Sequence, residues 1–356
     1  MQKLVDLFTT LVSIDSPSSE EASIGKYLEQ ALVGASLTVE HDKANNLYGY
    51  LAGEGPTILL NAHMDTVELA RGARVVQENG ILKTNGSTAL GADDKAALAA
   101  ILTSLYTIKD KKLPHPNLVV LITTCEEQGL VGAKQIDLTK LSGIDYGFTF
   151  DASKPIGLAI TRAPASDKLE VTFHGRGAHA GFKPESGISA IQMGALAVST
   201  MPLLRIDEET TANVGSFIAP GARNIVCDTA HLVFEARSLN DSKLRKQIET
   251  MQEALRKAAD HYHGTVDIVQ SHLYKGYSHQ SDGPVLKAFQ NACNTLGIPY
   301  REESTNGGSD ANILNNLGIS TLVCSTGYEE AHTKEECIPV KELENLARLV
   351  LELSTL

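Results

Sequence analysis

The chain has 356 residues, of which 42% are hydrophobic, so it can bury a large core and is expected to divide into two domains. Its net charge of −12, without any basic run, excludes the usual nucleic-acid partners, and no segment resembles a signal peptide or membrane span, so we expect a cytoplasmic protein that binds no membrane. The five cysteines include no Cys-x-x-Cys pair and predict buried thiols rather than disulfides.

The first part of the chain predicts helices followed by buried strands. Apolar residues at helical spacing predict a helix from Leu4 to Val12, and a capping box of Ser18 and Glu21 predicts the start of a second helix. Residues 95–108 are apolar nearly all round, which predicts a buried crossover helix. Three runs are apolar on both faces, as strands of a mainly parallel sheet are: 57–62 (TILLNA), 117–124 (NLVVLITT) and 146–150 (YGFTF).

The pattern changes near Pro164 and predicts an inserted α+β unit. Strands at 168–174, 213–218, 231–237 and 265–269 alternate with a helix at 188–198 and a long amphipathic helix capped by Asp241. The order β-α-β-β-α-β is that of a ferredoxin-like sandwich. We therefore expect two domains, an α/β domain of residues 1–166 and 275–356 and an inserted ferredoxin-like domain of residues 167–274.

The last part of the chain returns to the α/β pattern. It predicts helices at 284–296 and 310–316 and a strand at 320–324. An amphipathic terminal helix should bury Leu343, Leu346, Val350 and Leu351. The fold class is therefore α/β, with a mainly parallel sheet covered by helices and an inserted α+β domain.

Polar side chains follow the predicted strands at the points where these strands end. His63 and Asp65 lie two residues apart, so both side chains leave one face of an extended backbone and the carboxylate can orient the imidazole. Glu126 and Glu127 follow another strand, where a cation would offset their repulsion and an uncoordinated carboxylate could act as a base. Ligands of α/β proteins bind beyond the carboxyl ends of the strands. This layout predicts a metal-dependent hydrolase.

Further acids and a histidine supply ligands for two cations. Asp93 and Asp94 precede a helix, whose dipole alone would favour acids there, yet a carboxylate at that place could also bridge two metal ions. Asp151 and His332 would complete the two shells, although His332 could by itself be a surface histidine in an acidic loop. Mixed nitrogen and oxygen ligands suit Zn²⁺, Mn²⁺ or Co²⁺. The joint occurrence of these signals favours a two-metal site.

In their order along the chain and in their local sequences, these segments resemble those of the di-zinc exopeptidases. That family includes peptidase T, glutamate carboxypeptidase, succinyl-diaminopimelate desuccinylase and aminoacylase. The resemblance covers essentially the whole chain. It rests on NAHMDTV, LGADDKAALAA, TTCEEQGLVGAK and FDASKPIG for the metal-binding segments, and on RGAHAGFKPESGISAI for the lid. The C-terminal GGSDANIL and GYEEAHTKEECIPV are most similar to peptidase T-like proteins.

The resemblance implies that two divalent ions are the cofactors, Zn²⁺ in the first place and Co²⁺ or Mn²⁺ as alternatives. Asp93 would bridge the two ions. The side chains implied as metal ligands are His63, Asp93, Glu127, Asp151 and His332.

The resemblance also implies roles for residues beside the ions. Glu126 would be the general base and Asp65 would orient His63. The inserted domain would act as a lid and as the surface of a homodimer, in which His179 of one subunit stabilises the oxyanion in the other. A cis peptide bond is implied between Asp93 and Asp94.

Two further residues are implied in substrate binding. Asn224 and Arg237 would hold a polar end or carboxylate of the substrate. Each has an ordinary alternative, because Asn224 could be a turn residue and Arg237 could form a surface salt bridge.

The implied function is that of a metal-dependent exopeptidase acting on short peptides, of the peptidase T-like aminopeptidase type. A carboxypeptidase or a deacylase of N-acyl amino acids is the alternative within the family. A phosphoesterase is disfavoured because no glycine-rich loop is available to bind phosphate. A non-catalytic binding module is disfavoured because every ligand and the base are present.

Overall fold

The structure, a computed structural model, describes residues 2–355, which form two compact units. Unit 1 contains the chain up to Thr161, the segment Ser278–Ser304 and the chain from Ser309 onward. Unit 2 contains Arg162–Tyr277 and Thr305–Gly308. The expected domain boundaries near residues 166 and 275 differ from these by a few residues. None of the helices formed by residues 2–355 is both long and apolar enough to cross a membrane.

The described residues form eight α-helices. In chain order they are α1 (Gln2–Ser13), α2 (Ala22–Gly34), α3 (Ala92–Lys111), α4 (Ala190–Thr200), α5 (Asp241–His261), α6 (Pro284–Leu296), α7 (Asp310–Asn316) and α8 (Val340–Leu353).

The same residues form seventeen strands. The first nine are β1 (Thr38–His41), β2 (Leu47–Leu51), β3 (Thr57–His63), β4 (Val76–Glu78), β5 (Ile81–Lys83), β6 (Asn117–Thr123), β7 (Tyr146–Ala152), β8 (Leu158–Ala163) and β9 (Ala165–His174). The others are β10 (Leu204–Arg205), β11 (Thr210–Ile218), β12 (Thr229–Ser238), β13 (Thr265–Tyr274), β14 (Tyr277–Ser278), β15 (Arg301–Ser304), β16 (Thr321–Ser325) and β17 (Cys337–Pro339).

Unit 1 is built on a nine-stranded sheet with the order β1-β2-β6-β3-β7-β16-β8-β14, in which β15 pairs with β8. The four central strands β6, β3, β7 and β16 are parallel, and β2 and β8 flank them in antiparallel orientation. The central strands are apolar on both faces because helices of the main core cover one face and a smaller cluster with Leu314 of α7 covers the other. The prediction of a mainly parallel α/β sheet is thus confirmed.

Helix α3 is the central helix of unit 1, and it begins at the site described below. It is buried along most of its length, as its nearly uniform apolar composition predicts. Gly91 precedes it with φ of 70°, a left-handed conformation that favours glycine. Asp93 and Asp94 have non-helical backbone angles at its start. The side chain of Asp93 is thereby presented at the carboxyl ends of β3 and β7.

Both predicted helix caps were wrong. Helix α2 begins after Glu21 without a side-chain cap, and the Ser18 hydroxyl donates a hydrogen bond to Oδ2 of Asp65 instead, at 2.7 Å. Helix α5 is capped by Asn240, whose Oδ1 accepts hydrogen bonds from the backbone N–H groups of residues 242 and 243. Asp241 is the first helical residue. Asn240 has the extended backbone that a cap requires, which the sequence does not reveal.

Unit 2 is an antiparallel sheet of order β10-β11-β12-β9-β13, with α4 and α5 packed against it around a separate hydrophobic core. Apart from the two-residue edge strand β10, the elements follow the predicted order β9-α4-β11-β12-α5-β13. Strand β9 begins at Ala165, close to the point where the chain enters this unit, and ends at His174. The connections to the rest of the chain therefore lie at one end of this sheet.

Candidate metal centre

The five predicted metal ligands come together in unit 1. Nε2 of His63, the last residue of β3, lies 3.1 Å from Oδ1 of Asp93 and 4.0 Å from Oδ1 of Asp151, which lies in β7. Nε2 of His332 lies 3.2 Å from Oδ2 of Asp93 and 2.7 Å from Oε1 of Glu127. The two carboxylate oxygens of Asp93 thus face two different imidazoles.

The chemistry of these side chains fits divalent cations. Possible ligand atoms of His63, Asp93 and Glu127 all lie within 4.8 Å of one another. Oε1 of Glu127 is buried, and the group nearest to it in the site is Nε2 of His332, at 2.7 Å. Buried carboxylates of this kind require a compensating positive charge. Imidazole nitrogens and carboxylate oxygens are donors that zinc and similar ions accept.

The acids also act on the protonation of the histidine near the surface. Asp93, followed by Glu127, raises the pKa of His332 to about 10. A group of carboxylates that attracts a proton to this degree will also attract a metal ion, which then competes with the proton for the imidazole.

Asp65 holds two segments of the site. Nδ1 of His63 lies 3.0 Å from the carbonyl oxygen of Asp65 and 3.3 Å from its Oδ1. The same carboxylate accepts hydrogen bonds from the backbone N–H groups of Glu126 at 2.9 Å and Glu127 at 3.2 Å. Burial alone would raise the pKa of Asp65, but hydrogen bonding and the charge of His63 hold that pKa below its usual range. Asp65 therefore orients both an imidazole and the turn that carries the two glutamates.

Glu126 lies beside the predicted ligands in a setting suited to proton transfer. One of its carboxylate oxygens lies within 4.8 Å of a carboxylate oxygen of Asp151 and of an imidazole nitrogen of His63. Burial, followed by the negative charge of Asp151, raises the pKa of Glu126 well above its ordinary value. A carboxyl group with a raised pKa can both accept a proton and hold it until a leaving group takes it.

The peptide bond between Asp93 and Asp94 is cis, as the resemblance implies. Asp94 is fully buried, and its Oδ2 accepts a hydrogen bond from the backbone N–H of His63 at 3.2 Å. Asp94 thus connects the start of α3 to the end of β3.

Two buried glutamates near the site are not distinguished by the sequence. Oε1 of Glu21 accepts hydrogen bonds from the backbone N–H of Cys125 at 3.0 Å and from that of Ser19 at 2.9 Å, so it holds the residue before Glu126. Glu336, which the sequence places in an acidic loop, is only 1% exposed and binds the segment before α3. The sequence assigns Glu21 only to a helix cap, and no local pattern predicts the contacts that either glutamate makes.

The structure brings His179 and Asn224 close together in unit 2. The exposed His179 stacks on Phe182 with 4.2 Å between ring centroids, and its Nδ1 accepts a hydrogen bond from the backbone N–H of Gly181. A backbone bridge joins His179 to Ile225, and the carbonyl of Asn224 accepts a hydrogen bond from the N–H of residue 180 at 2.9 Å. Both residues lie in loops beyond the end of β9 and the start of β12.

Arg237 lies apart from those two residues. It stands near the other end of β12, paired in register with Ser166 of β9. Its guanidinium binds the carboxylate of Glu235 and donates to the carbonyl of Asn306 at 3.4 Å. At about 3.3 Å per residue, the strand separates Arg237 from the Asn224 loop by roughly 25 Å. The two predicted substrate-binding residues, Asn224 and Arg237, therefore lie far apart within unit 2 of a single chain.

The sequence and the fold are both similar to those of known proteins. The family model for peptidase family M20/M25/M40 matches residues 59–355. An uncharacterized protein of Bacillus subtilis, YqjE, is 38% identical over 360 residues, covering 98% of this chain and 97% of that protein.

Two solved structures share both fold and sequence with this chain. The aminopeptidase PepT from Bacillus cereus has a TM-score of 0.88 and 36% identity, covering 99% of this chain and 98% of that one. A tripeptidase from Staphylococcus aureus has a TM-score of 0.93 and 35% identity, covering 99% and 97%. The resemblance deduced from the motifs is confirmed, and the chain belongs to peptidase family M20/M25/M40 as a metal-dependent peptidase.

Proposed function

We propose that this chain is an aminopeptidase that removes residues from the N-terminus of short peptides with the help of two divalent ions, Zn²⁺ before Co²⁺ or Mn²⁺. One observation carries the proposal: the two oxygens of the Asp93 carboxylate lie 3.1 Å and 3.2 Å from the imidazoles of His63 and His332, respectively. A carboxylate between two imidazoles can bridge two cations. The similar aminopeptidase PepT and tripeptidase support peptides as substrates.

The ligands divide into two positions around Asp93. The first position consists of His63, Asp93 and Asp151, and the second position consists of Asp93, Glu127 and His332. When bound, the ions would lower the pKa of a water molecule and polarise the carbonyl of the scissile amide.

Glu126 is proposed as the general base and acid. It would accept a proton from the attacking water and return it to the nitrogen of the leaving amine. Its buried setting and raised pKa support this role, because the carboxyl must retain the proton between the two steps. Asp65 would keep the Glu126 turn in place through the backbone hydrogen bonds to residues 126 and 127.

His179 and Asn224 are proposed to act on the substrate bound by a partner subunit. They lie at the end of the unit 2 sheet that is opposite to the chain connections, and β9 spans about 30 Å between these ends. Arg237 lies at the connected end of this sheet and is proposed to bind a polar end or carboxylate of the substrate. A homodimer formed through unit 2 would complete each site with residues of both subunits. The cytoplasmic location stays a prediction.

A panel of substrates tests the proposed function. Metal-free protein is reconstituted separately with zinc, cobalt and manganese. Each preparation is assayed with di- and tripeptides, their N-acetylated forms, their C-terminal amides, N-acyl amino acids and phosphate esters. We expect cleavage of free peptides and amides, and none after N-acetylation. Cleavage that survives N-acetylation but not C-terminal amidation would identify a carboxypeptidase. Preference for N-acyl amino acids would identify a deacylase, and hydrolysis of phosphate esters alone would exclude peptidase activity.

A further inference from the structure

We propose that Glu336 is a positioning residue for the second metal position, because its carboxylate joins the segment that carries Asp93 to the hairpin of residues 329–337, which carries His332. This inference rests on the proposed two-metal function. It assigns a specific task to a residue that the sequence does not distinguish from its acidic neighbours.

The carboxylate of Glu336 is surrounded by backbone donors from the start of α3. Oε2 accepts hydrogen bonds from the N–H groups of Leu90 and Gly91, each at 2.9 Å, and Oε1 accepts one from Asp93 at 3.1 Å. Gly91, the N-cap of α3, has no side chain with which to bind these free N–H groups. Glu336 provides the missing cap from a distant part of the chain, and one of its three bonds is to Asp93 itself.

Glu336 also belongs to the hairpin of His332. The hairpin is closed by reciprocal backbone hydrogen bonds between Glu329 and Cys337, at 2.9 Å and 3.2 Å. Cys337 begins β17, which pairs with β5. Glu336 therefore lies at the fixed base of the hairpin, four residues after His332. Its side chain sets the distance between this base and the backbone of Asp93.

The two metal positions depend on this link to different degrees. The first position takes His63 and Asp151 from strands β3 and β7, which are adjacent in the parallel sheet. The second position takes His332 from the hairpin, where its side chain is 48% exposed. Loss of the link should therefore disturb the second position more than the first.

An ordinary stabilising cap is the competing explanation. Loss of such a cap would lower the thermal stability of the protein and weaken metal binding at both positions together. A positioning residue should change the ratio of the two metal affinities, a readout that a general loss of stability does not change.

The test compares E336Q with E335Q. Glu335 is exposed in the same hairpin, so its replacement removes the same charge without touching α3. Zinc is titrated into metal-free protein by calorimetry, and the visible absorption of Co²⁺ is followed in parallel titrations. We expect E336Q to weaken the second ion by about 10- to 100-fold, as is typical when a residue supporting a ligand is lost, and the first by less than about threefold. E335Q should match the wild type.

Other outcomes separate this inference from the function on which it rests. The wild type could bind two ions while E336Q shows unchanged affinities, or affinities that are weakened equally for both ions. That result would overturn only the role of Glu336. Binding of fewer than two ions by the wild type would overturn the two-metal function and this inference with it. If E336Q does not fold, E336D decides, since it keeps the charge but shortens the side chain. It should again weaken the second ion selectively, and equal affinities would contradict the proposal.

Discussion

In unit 1 the side chains assigned to the reaction lie close together and, apart from the half-exposed His332, are largely buried, whereas those in unit 2 are exposed or half-buried and lie at two ends of a sheet. His63 and Asp93 have less than a tenth of their surface exposed and are joined by a contact of 3.1 Å. His179 and Asn224 lie in exposed loops. The length of β12 separates Arg237 from the loop of Asn224 by roughly 25 Å. The difference shows that one chain brings the proposed metal ligands and Glu126 together, and it is the reason why His179 and Asn224 are proposed to act from a second subunit.

Among the residues of unit 1, replacement of Glu126 by Gln should have the largest effect on turnover. Turnover should fall by about 10²- to 10⁴-fold, the usual contribution of a general acid and base. Metal content should not change, because Glu126 is not among the proposed ligands. Steady-state kinetics and elemental analysis on the same sample check both statements. A variant with near-normal turnover would show that another group moves the proton.

Replacement of His179 by Ala should remove the contribution of unit 2 to turnover. Loss of a donor to the oxyanion costs about 10²- to 10³-fold in turnover. After subunit exchange between H179A and E126Q, random pairing would place one intact site in half of the dimers, so about a quarter of the wild-type activity should return. H179A mixed with itself is the control. Absence of recovery, or full activity in a monomer, would contradict the role of His179 across the dimer.

The two histidines of unit 1 should lose metal differently. H63A removes a ligand of the first position and H332A removes one of the second, so each variant should retain about one ion per chain. We expect the ion retained by H332A to be bound more tightly, because the first position is buried and held by strands. Equilibrium dialysis against zinc gives both the stoichiometry and the affinity. Retention of two tightly bound ions by either variant would exclude that histidine as a ligand.

The smallest expected effect concerns the turn that carries Glu126. E21A removes the acceptor for the Cys125 N–H, which should lower the free energy of unfolding by about 1–3 kcal/mol and turnover by less than about tenfold. E20A is the matched control, because the neighbouring Glu20 is exposed and pairs only with Arg71 among the ion pairs of the described residues. Thermal unfolding and kinetics compare the two. Equal effects would show that Glu21 does not position the base.

The sequence predicts the elements whose signals are local. Strands β3, β6 and β7 were correctly predicted because buried parallel strands are uniformly apolar, and His63, Glu126 and Asp151 follow from their positions at strand ends. Short or partly exposed strands such as β1 and β4 were not predicted, because their pairing partners and not their composition define them.

Long-range polar contacts are the part that the sequence does not reveal. Glu336 binds the N–H of Leu90 across 246 residues, and Glu21 binds that of Cys125 across 104 residues. Burial of these acids depends on which donors the fold brings to them, and that information is absent from the neighbouring residues. The predicted caps of helices α2 and α5 were wrong for a related reason. Backbone angles decide which of several neighbouring polar residues is the cap.

The bridging role of Asp93 is tested most directly by anomalous X-ray scattering at the zinc edge from crystals of the zinc-loaded protein. We expect two peaks per chain, one bound by His63 and one by His332, each within about 2.0–2.2 Å of a different oxygen of Asp93. A single peak, or two peaks of which one has no bond to Asp93, would contradict it.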